Sequence, residues 1–126
     1  MGFMDGKFYR IRGVAHGLIG LSVIFNFGAF FLTVYMLEYF PYMFFESNPL
    51  PAYIFANYGY WVMFLLILPV WLSVFLIIRY WSKIHDIKNQ ALCSLLLSAP
   101  LLLITSWDFN NNFQLFVNYV LPSIIN

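Results

Sequence analysis

All six Lys and Arg residues fall in two short clusters, and no other feature constrains this chain as strongly. Lys7, Arg10 and Arg12 lie in the first twelve residues, and Arg79, Lys83 and Lys88 lie in one ten-residue window. Between the clusters runs an aromatic-rich apolar stretch of more than sixty residues whose only charges are Glu38 and Glu46. Beyond Lys88 the only charge is Asp108. A soluble domain carries charge on about a quarter of its residues, spread over the surface. Here 9% are charged and 63% are hydrophobic. Basic residues concentrate in the cytoplasmic loops that flank membrane spans. The pattern therefore points to an all-α, polytopic integral membrane protein, and it also orients the chain.

The 126 residues make a single membrane domain. A bilayer core is about 30 Å thick and a spanning helix takes about 20 residues, so three spans fit once loops are subtracted. The apolar runs are continuous rather than alternating, which argues against a β-barrel. A net charge of +1 and the lack of a basic tract leave no footprint for nucleic acid. Cys93 is the lone cysteine, so there is no internal disulfide and no thiolate cluster for zinc or iron–sulfur. The basic start followed by apolar residues from Val14 resembles a signal peptide. The apolar run continues to Leu37 without a small-residue cleavage site, so an uncleaved first span is expected. Gly2 does not sit in a myristoylation context, because Gly6 stands where Ser or Thr is needed.

The expected spans are 13–37, 57–79 and 90–110. An outer connection covers 38–56, an inner loop covers 80–89, and an interfacial carboxyl-terminal segment covers 111–126. Pro41, Pro49 and Pro51 forbid a long regular helix in the connection, and Pro69 is expected to kink the second span. From Ala91 to Ser106 there are only 16 residues, about 24 Å of helix. The third span must therefore run on into residues 107–112. A continuous helix from Ala91 to Leu121 would be about 46 Å long, demanding more tilt than spans usually adopt. A break near Asp108–Asn112 is expected instead. The basic clusters put the amino terminus inside and the carboxyl terminus outside.

Helical indexing of the first span separates two faces. Gly13, Gly17, Gly20, Ile24 and Gly28 form one stripe, which predicts a close helix contact within the chain or with a partner. Ser22, Asn26, Ala29 and Thr33 form a polar seam. In the third span Ser94, Ser98 and Thr105 share a face that continues through Asp108 and Asn112, where hydroxyls are expected to bond to backbone or to a neighbouring helix. The 15 Phe, nine Tyr and four Trp exceed what interfacial anchoring needs. Packing and headgroup belts account for most of them, with a lipid-, quinone- or pigment-binding surface as the sharper alternative.

Two polar motifs stand out, Glu46-Ser47-Asn48-Pro49 and Asp108-Phe109-Asn110-Asn111-Asn112. Three spans bring both to the outer leaflet, with Asn26 and Thr33 below them. Polar side chains in lipid find one another or line a pathway, and carboxylate and amide oxygens suit a hard cation. The plainer reading is preferred: Asn-Pro starts turns, Asn caps helices, and surface acids meet water. On that reading Asn48, Asn111, Asn112 and the two acids fasten the connection to the end of the third span. His16 and His85 have the chemistry of haem or copper ligands. Neither has a partner at ligand spacing, and no metal or cofactor site is expected. Ser-His-Asp catalysis is not expected either, because the histidines fall inside and Asp108 outside.

A polar residue midway along the first span, then E-x-N-P, then a late Asn pair, resembles an uncharacterised family of small three-helix prokaryotic membrane proteins, a domain of unknown function. Thr33, Glu46, Asn48 and Pro49 match its pattern, Asn111-Asn112 stand at the late pair, and Asn26 stands where that family usually has Asp. The family often carries a Lys in its second span, whereas Val62–Leu72 is wholly apolar here. The resemblance implies a three-helix fold and brings no established activity.

The expectation for function is a structural or accessory subunit of a larger complex in the cell membrane, not an enzyme. Its partners would be other membrane protein subunits and the lipid bilayer. The alternative is a small homo-oligomeric transporter or channel with a polar route near Asn26, Thr33, Glu46 and Asp108. An enzyme using Glu46 and Asp108 is the weakest of the three.

Overall fold

A computed structural model describes residues 3–46 and 48–125, with side chains placed from Gly6 onward. Gly2, Ser47 and Asn126 lie outside the described residues, so the myristoylation reading at Gly2 is not addressed. The fold is all-α. Helix α1 covers Phe3–Tyr39, α2 covers Pro49–Tyr58, α3 covers Tyr60–Ile84 and α4 covers Ile87–Leu115. A π-helical turn, Phe116–Val120, leads without a break into α5, Leu121–Ile125. Among the described residues, three stretches are long and apolar enough to cross a membrane: Gly6–Tyr39, Tyr60–Ile84 and Ile87–Ile125. The chain is a multi-pass membrane protein.

Cross-helix contacts fix the topology. Arg12 meets Gln90, His16 meets Ser94, and Asn112 reaches the Ala29 carbonyl. Residue numbers rise together along both helices, so α1 and α4 run parallel. Helix α3 runs antiparallel to them, with Trp71 against Asn26 and Phe64 against Phe30. All six basic residues consequently gather at one end of the bundle, and Glu38 and Glu46 lie at the other.

Small side chains set the closeness of α1 to α4. Ala15, Ser22 and Ala29 on α1 and Ala91, Ser94 and Ser98 on α4 are all at most 1% exposed. Without bulk between them the backbones approach, and dispersion contacts accumulate along the seam. The buried hydroxyls do not stay unpaired. Ser22, Ser98 and Thr105 donate to the Leu18, Leu95 and Leu101 carbonyls of their own helices at 2.9, 3.0 and 2.7 Å. Helix α3 packs instead through large residues: Ile19, Trp71 and Val74 form a core with Val23, Phe27, Leu97 and Leu101 around it.

Three expectations need correcting. The ten-residue inner loop contracts to His85 and Asp86, because α3 runs to Ile84 and α4 starts at Ile87. Charged side chains oblige a helix to leave lipid, not to unwind. Arg79, Lys83 and Lys88 therefore ride on helical turns, and Asp86 caps α4 by accepting from the Asn89 amide at 2.9 Å. The connection is also more ordered than a proline-rich stretch suggests. Asn48 caps α2, and Pro49 and Pro51 occupy its first turn, where a missing amide hydrogen costs nothing. Gly59, at φ 89°, then turns the chain into α3, so the second span begins at Tyr60 rather than 57.

The third correction is the largest. No break occurs at Asp108–Asn112, and Ile87–Ile125 is one 39-residue helical run, about 58 Å long. Length against the bilayer was the wrong criterion, because protein supports the extra turns. Phe116 packs on Tyr35, Tyr119 packs on Phe44, and Val120 is fully buried. The irregularity falls at 116–120, just before Pro122. Proline has no amide hydrogen to return to Asn118 and its ring crowds that carbonyl. A π turn, in which the Leu121 amide reaches back to Phe116, widens the helix there.

The glycine stripe was expected to meet a helix of this chain or of a partner. An added Cβ at Gly13, Gly17 or Gly20 would meet nothing within 4 Å, so these glycines are not the contact between helices of this chain. Within the stripe Gly28 alone is packed, with the Phe109 ring 2.9 Å from where its Cβ would stand.

Candidate functional site: a polar cavity at the far end of the bundle

Two helical stripes face each other in the half of the bundle remote from the basic residues. On α1, Asn26, Ala29, Thr33 and Met36 recur at three- and four-residue spacing. On α4 and the π turn, Asp108, Asn111, Asn112, Leu115 and Asn118 do the same. They line a half-open cavity of about 790 Å³, bordered by Phe44, Glu46 and Asn48 of the connection and by Phe55 of α2. Met63 and Ile67 of α3 reach its deeper wall. All seven polar candidates, Asn26, Thr33, Glu46, Asn48, Asp108, Asn111 and Asn112, line this one cavity.

The deep end is closed by an oriented contact. Trp71, only 6% exposed, donates its indole N–H to Asn26 Oδ1 at 2.9 Å. On the other side of this pair lies the apolar Ile19–Trp71–Val74 core. Within one chain the polar space is thus a pocket that ends midway along α1.

At the connection, Glu46 Oε1 accepts from the Asn48 amide at 3.0 Å, and Asn48 Oδ1 accepts from the Leu50 amide at 3.4 Å. The E-x-N-P motif is therefore locally a helix start, with the acid, the cap and the proline each satisfying or removing an amide hydrogen. The expected bonds from this corner to Asp108–Asn112 do not occur among the described residues. The two segments share the cavity without touching through hydrogen bonds. Asn112 spends its Nδ2 on the Ala29 carbonyl at 3.2 Å, pinning α4 to α1 just beside Gly28 and Phe109.

Other candidates lie elsewhere. His16 meets Ser94 Oγ at 3.2 Å across the α1–α4 seam, and His85 is exposed at the end of α3. Among the described residues no three His, Cys, Asp or Glu side chains come together as a metal site. Sequence reasoning overlooked Gln114, Asn118, Trp107 and Tyr119, which also line the cavity. The signal for Asn118 was present, since it continues the 108–111–115 spacing, but an expected helix break hid the stripe. No protein family, curated protein or solved structure matches the chain in comparisons with each.

Proposed function

We propose that this protein is a membrane-embedded subunit that docks against another transmembrane helix through the Gly13–Gly17–Gly20 face of α1. The observation that carries this reading is the open space beside all three glycines. Glycine inside a helix costs about 1 kcal/mol relative to alanine, and three on one face give no return within this chain. Close approach of an external helix supplies that return. The Arg and Lys clusters favour insertion in the cell membrane with the basic end inside. Kinship with the small three-helix prokaryotic family rests on Glu46, Asn48, Pro49 and the Asn111-Asn112 pair, and it adds no activity.

The test is gentle detergent purification with identification of co-migrating chains. Gly17→Leu should abolish recovery of the partner while leaving the thermal midpoint of the isolated chain unchanged. Leu21→Phe should leave recovery intact. Equal recovery with both variants sinks the docking face. A second reading, a homo-oligomeric transporter, is favoured by the convergence of polar side chains on the cavity. A pure homo-oligomer in the same purification would support it over the first.

A further inference from the structure

We propose that the far-end cavity binds an organic cation, specifically an alkylammonium group, carried either by a lipid headgroup or by a free amine. This inference is independent of the glycine face and survives or fails without it.

Charge comes first. Among the described residues the only carboxylates on the cavity wall are those of Glu46 and Asp108, and no Lys, Arg or His lines it. The six Lys and Arg residues all sit at the opposite end of the bundle. An anion would find two like charges and no counter-charge, whereas a cation would find the reverse.

The character of the rest of the wall narrows the class. Phe30 and Phe55 lie 6.4 Å apart on one side, and Phe44 and Tyr119 meet edge-on at 6.4 Å on another. Trp107 lines the cavity as well. Aromatic faces attract a diffuse, poorly hydrated ammonium, and more strongly where water is excluded. Carboxylate and aromatic groups together are the usual chemistry of an ammonium cage. Asn112 turns Nδ2 towards the Ala29 carbonyl, and its amide oxygen, the negative end of that dipole, is compatible with a cation.

Size decides against a bare metal ion. A volume of about 790 Å³ lies within the roughly 300–1,000 Å³ typical of small-molecule sites. A hard divalent ion needs about six or more closely converging oxygens. The two acids here stand on separate elements, Glu46 on the connection and Asp108 on α4.

The experiment uses the full chain purified in an uncharged maltoside detergent, with thermal midpoint and intrinsic tryptophan fluorescence followed during titration. The probes are tetramethylammonium chloride, short-chain phosphatidylcholine, short-chain phosphatidylglycerol, sodium chloride and magnesium chloride, with the salts matched in ionic strength. Saturable stabilisation by tetramethylammonium or by phosphatidylcholine, but not by the other three, is the expected result. Response to the free ion identifies a soluble amine, and response only to the lipid identifies a headgroup. Asp108→Asn should weaken this binding about tenfold, and Tyr119→Leu by a smaller factor. Glu46→Gln provides a second charge variant if Asp108→Asn does not fold. Stabilisation by magnesium alone, equal effects of all salts, no saturable response, or an unchanged response in both charge variants would overturn the proposal.

Discussion

The Arg12 guanidinium donates to the side-chain oxygen of Gln90 at 2.6 Å, joining the first turns of α1 to the start of α4. Gln90 is 7% exposed, and its amide nitrogen donates to the Ser82 and His85 carbonyls at 3.1 and 2.7 Å. Those carbonyls sit at the end of α3, where helical partners run out. One side chain therefore closes the α3–α4 turn and ties it to α1.

Gln90→Leu should accordingly cost more than Arg12→Leu. The first removes all three bonds and strands two carbonyls, a loss of about 1–3 kcal/mol. The second removes one bond from a side chain that still reaches water, and also the stacking of Arg12 on the Tyr9 ring at 5.1 Å. Thermal midpoints in detergent rank the two variants. A larger drop for Arg12→Leu would make the basic cluster, not the turn, the important element.

The Asn26–Trp71 pair predicts a coupled effect. Asn26→Leu leaves the buried indole N–H without an acceptor, at about 1–3 kcal/mol. Asn26→Asp keeps an acceptor and should be tolerated. In a Trp71→Phe background, Asn26→Leu should cost little, because the donor has already gone. A double-mutant cycle measured by unfolding checks this, and strictly additive losses would rule the bond out as an energetic contact.

Gly28 and Gly17 predict opposite responses to the same substitution. Gly28→Ala drives a methyl to 2.9 and 3.0 Å from two Phe109 ring atoms. That ring is held by Phe25 at 5.3 Å and stacks on Phe113 at 5.9 Å, so yielding disturbs the α1–α4 seam. Such overpacking costs about 1–3 kcal/mol. Gly17→Ala meets nothing and gains helix propensity, so the isolated chain should hold or rise in stability. Melting both variants in detergent tests the contrast, and a loss at Gly17 equal to that at Gly28 would place a helix beside Gly17 within the chain.

Spans and polarity were legible in the sequence because lipid acts on composition directly. The two basic clusters and the apolar runs report which segments avoid water, whatever their neighbours. The polar seam at Ser22, Asn26, Ala29 and Thr33 was legible for a related reason, since polar side chains in lipid need partners. Which face of α1 meets α4 was not legible from glycine alone. Gly13 and Gly17 offer the same closeness as Ala15 and Ser22, and only the complementary Ala91–Ser94–Ser98 stripe decides between them. Helix ends were misjudged wherever charge or length stood in for hydrogen bonding. Arg79 and Lys83 continue α3, and Phe116 and Tyr119 find protein partners that carry α4 past its expected limit.

The parallel pairing of α1 with α4 sharpens the orientation into a last prediction. Lys7, Arg10, Arg12, Arg79, Lys83 and Lys88 lie at one end of the bundle whichever helix carries them, so the positive-inside bias of the two clusters adds rather than cancels. Ser82, beside that end, should face the cytoplasm, and Ser123, on α5 at the opposite end, should face away from it. Both are exposed and have only intrahelical hydroxyl bonds, to the Arg79 and Tyr119 carbonyls at 2.7 and 2.8 Å, so cysteine at either place should be tolerated. With Cys93→Ala as the background, the Ser123→Cys chain should react with an impermeant maleimide in intact cells. The Ser82→Cys chain should react only after the membrane is ruptured. Labelling of both in intact cells, or of Ser82→Cys alone, would overturn the orientation and detach the charge pattern from the topology it is taken to set.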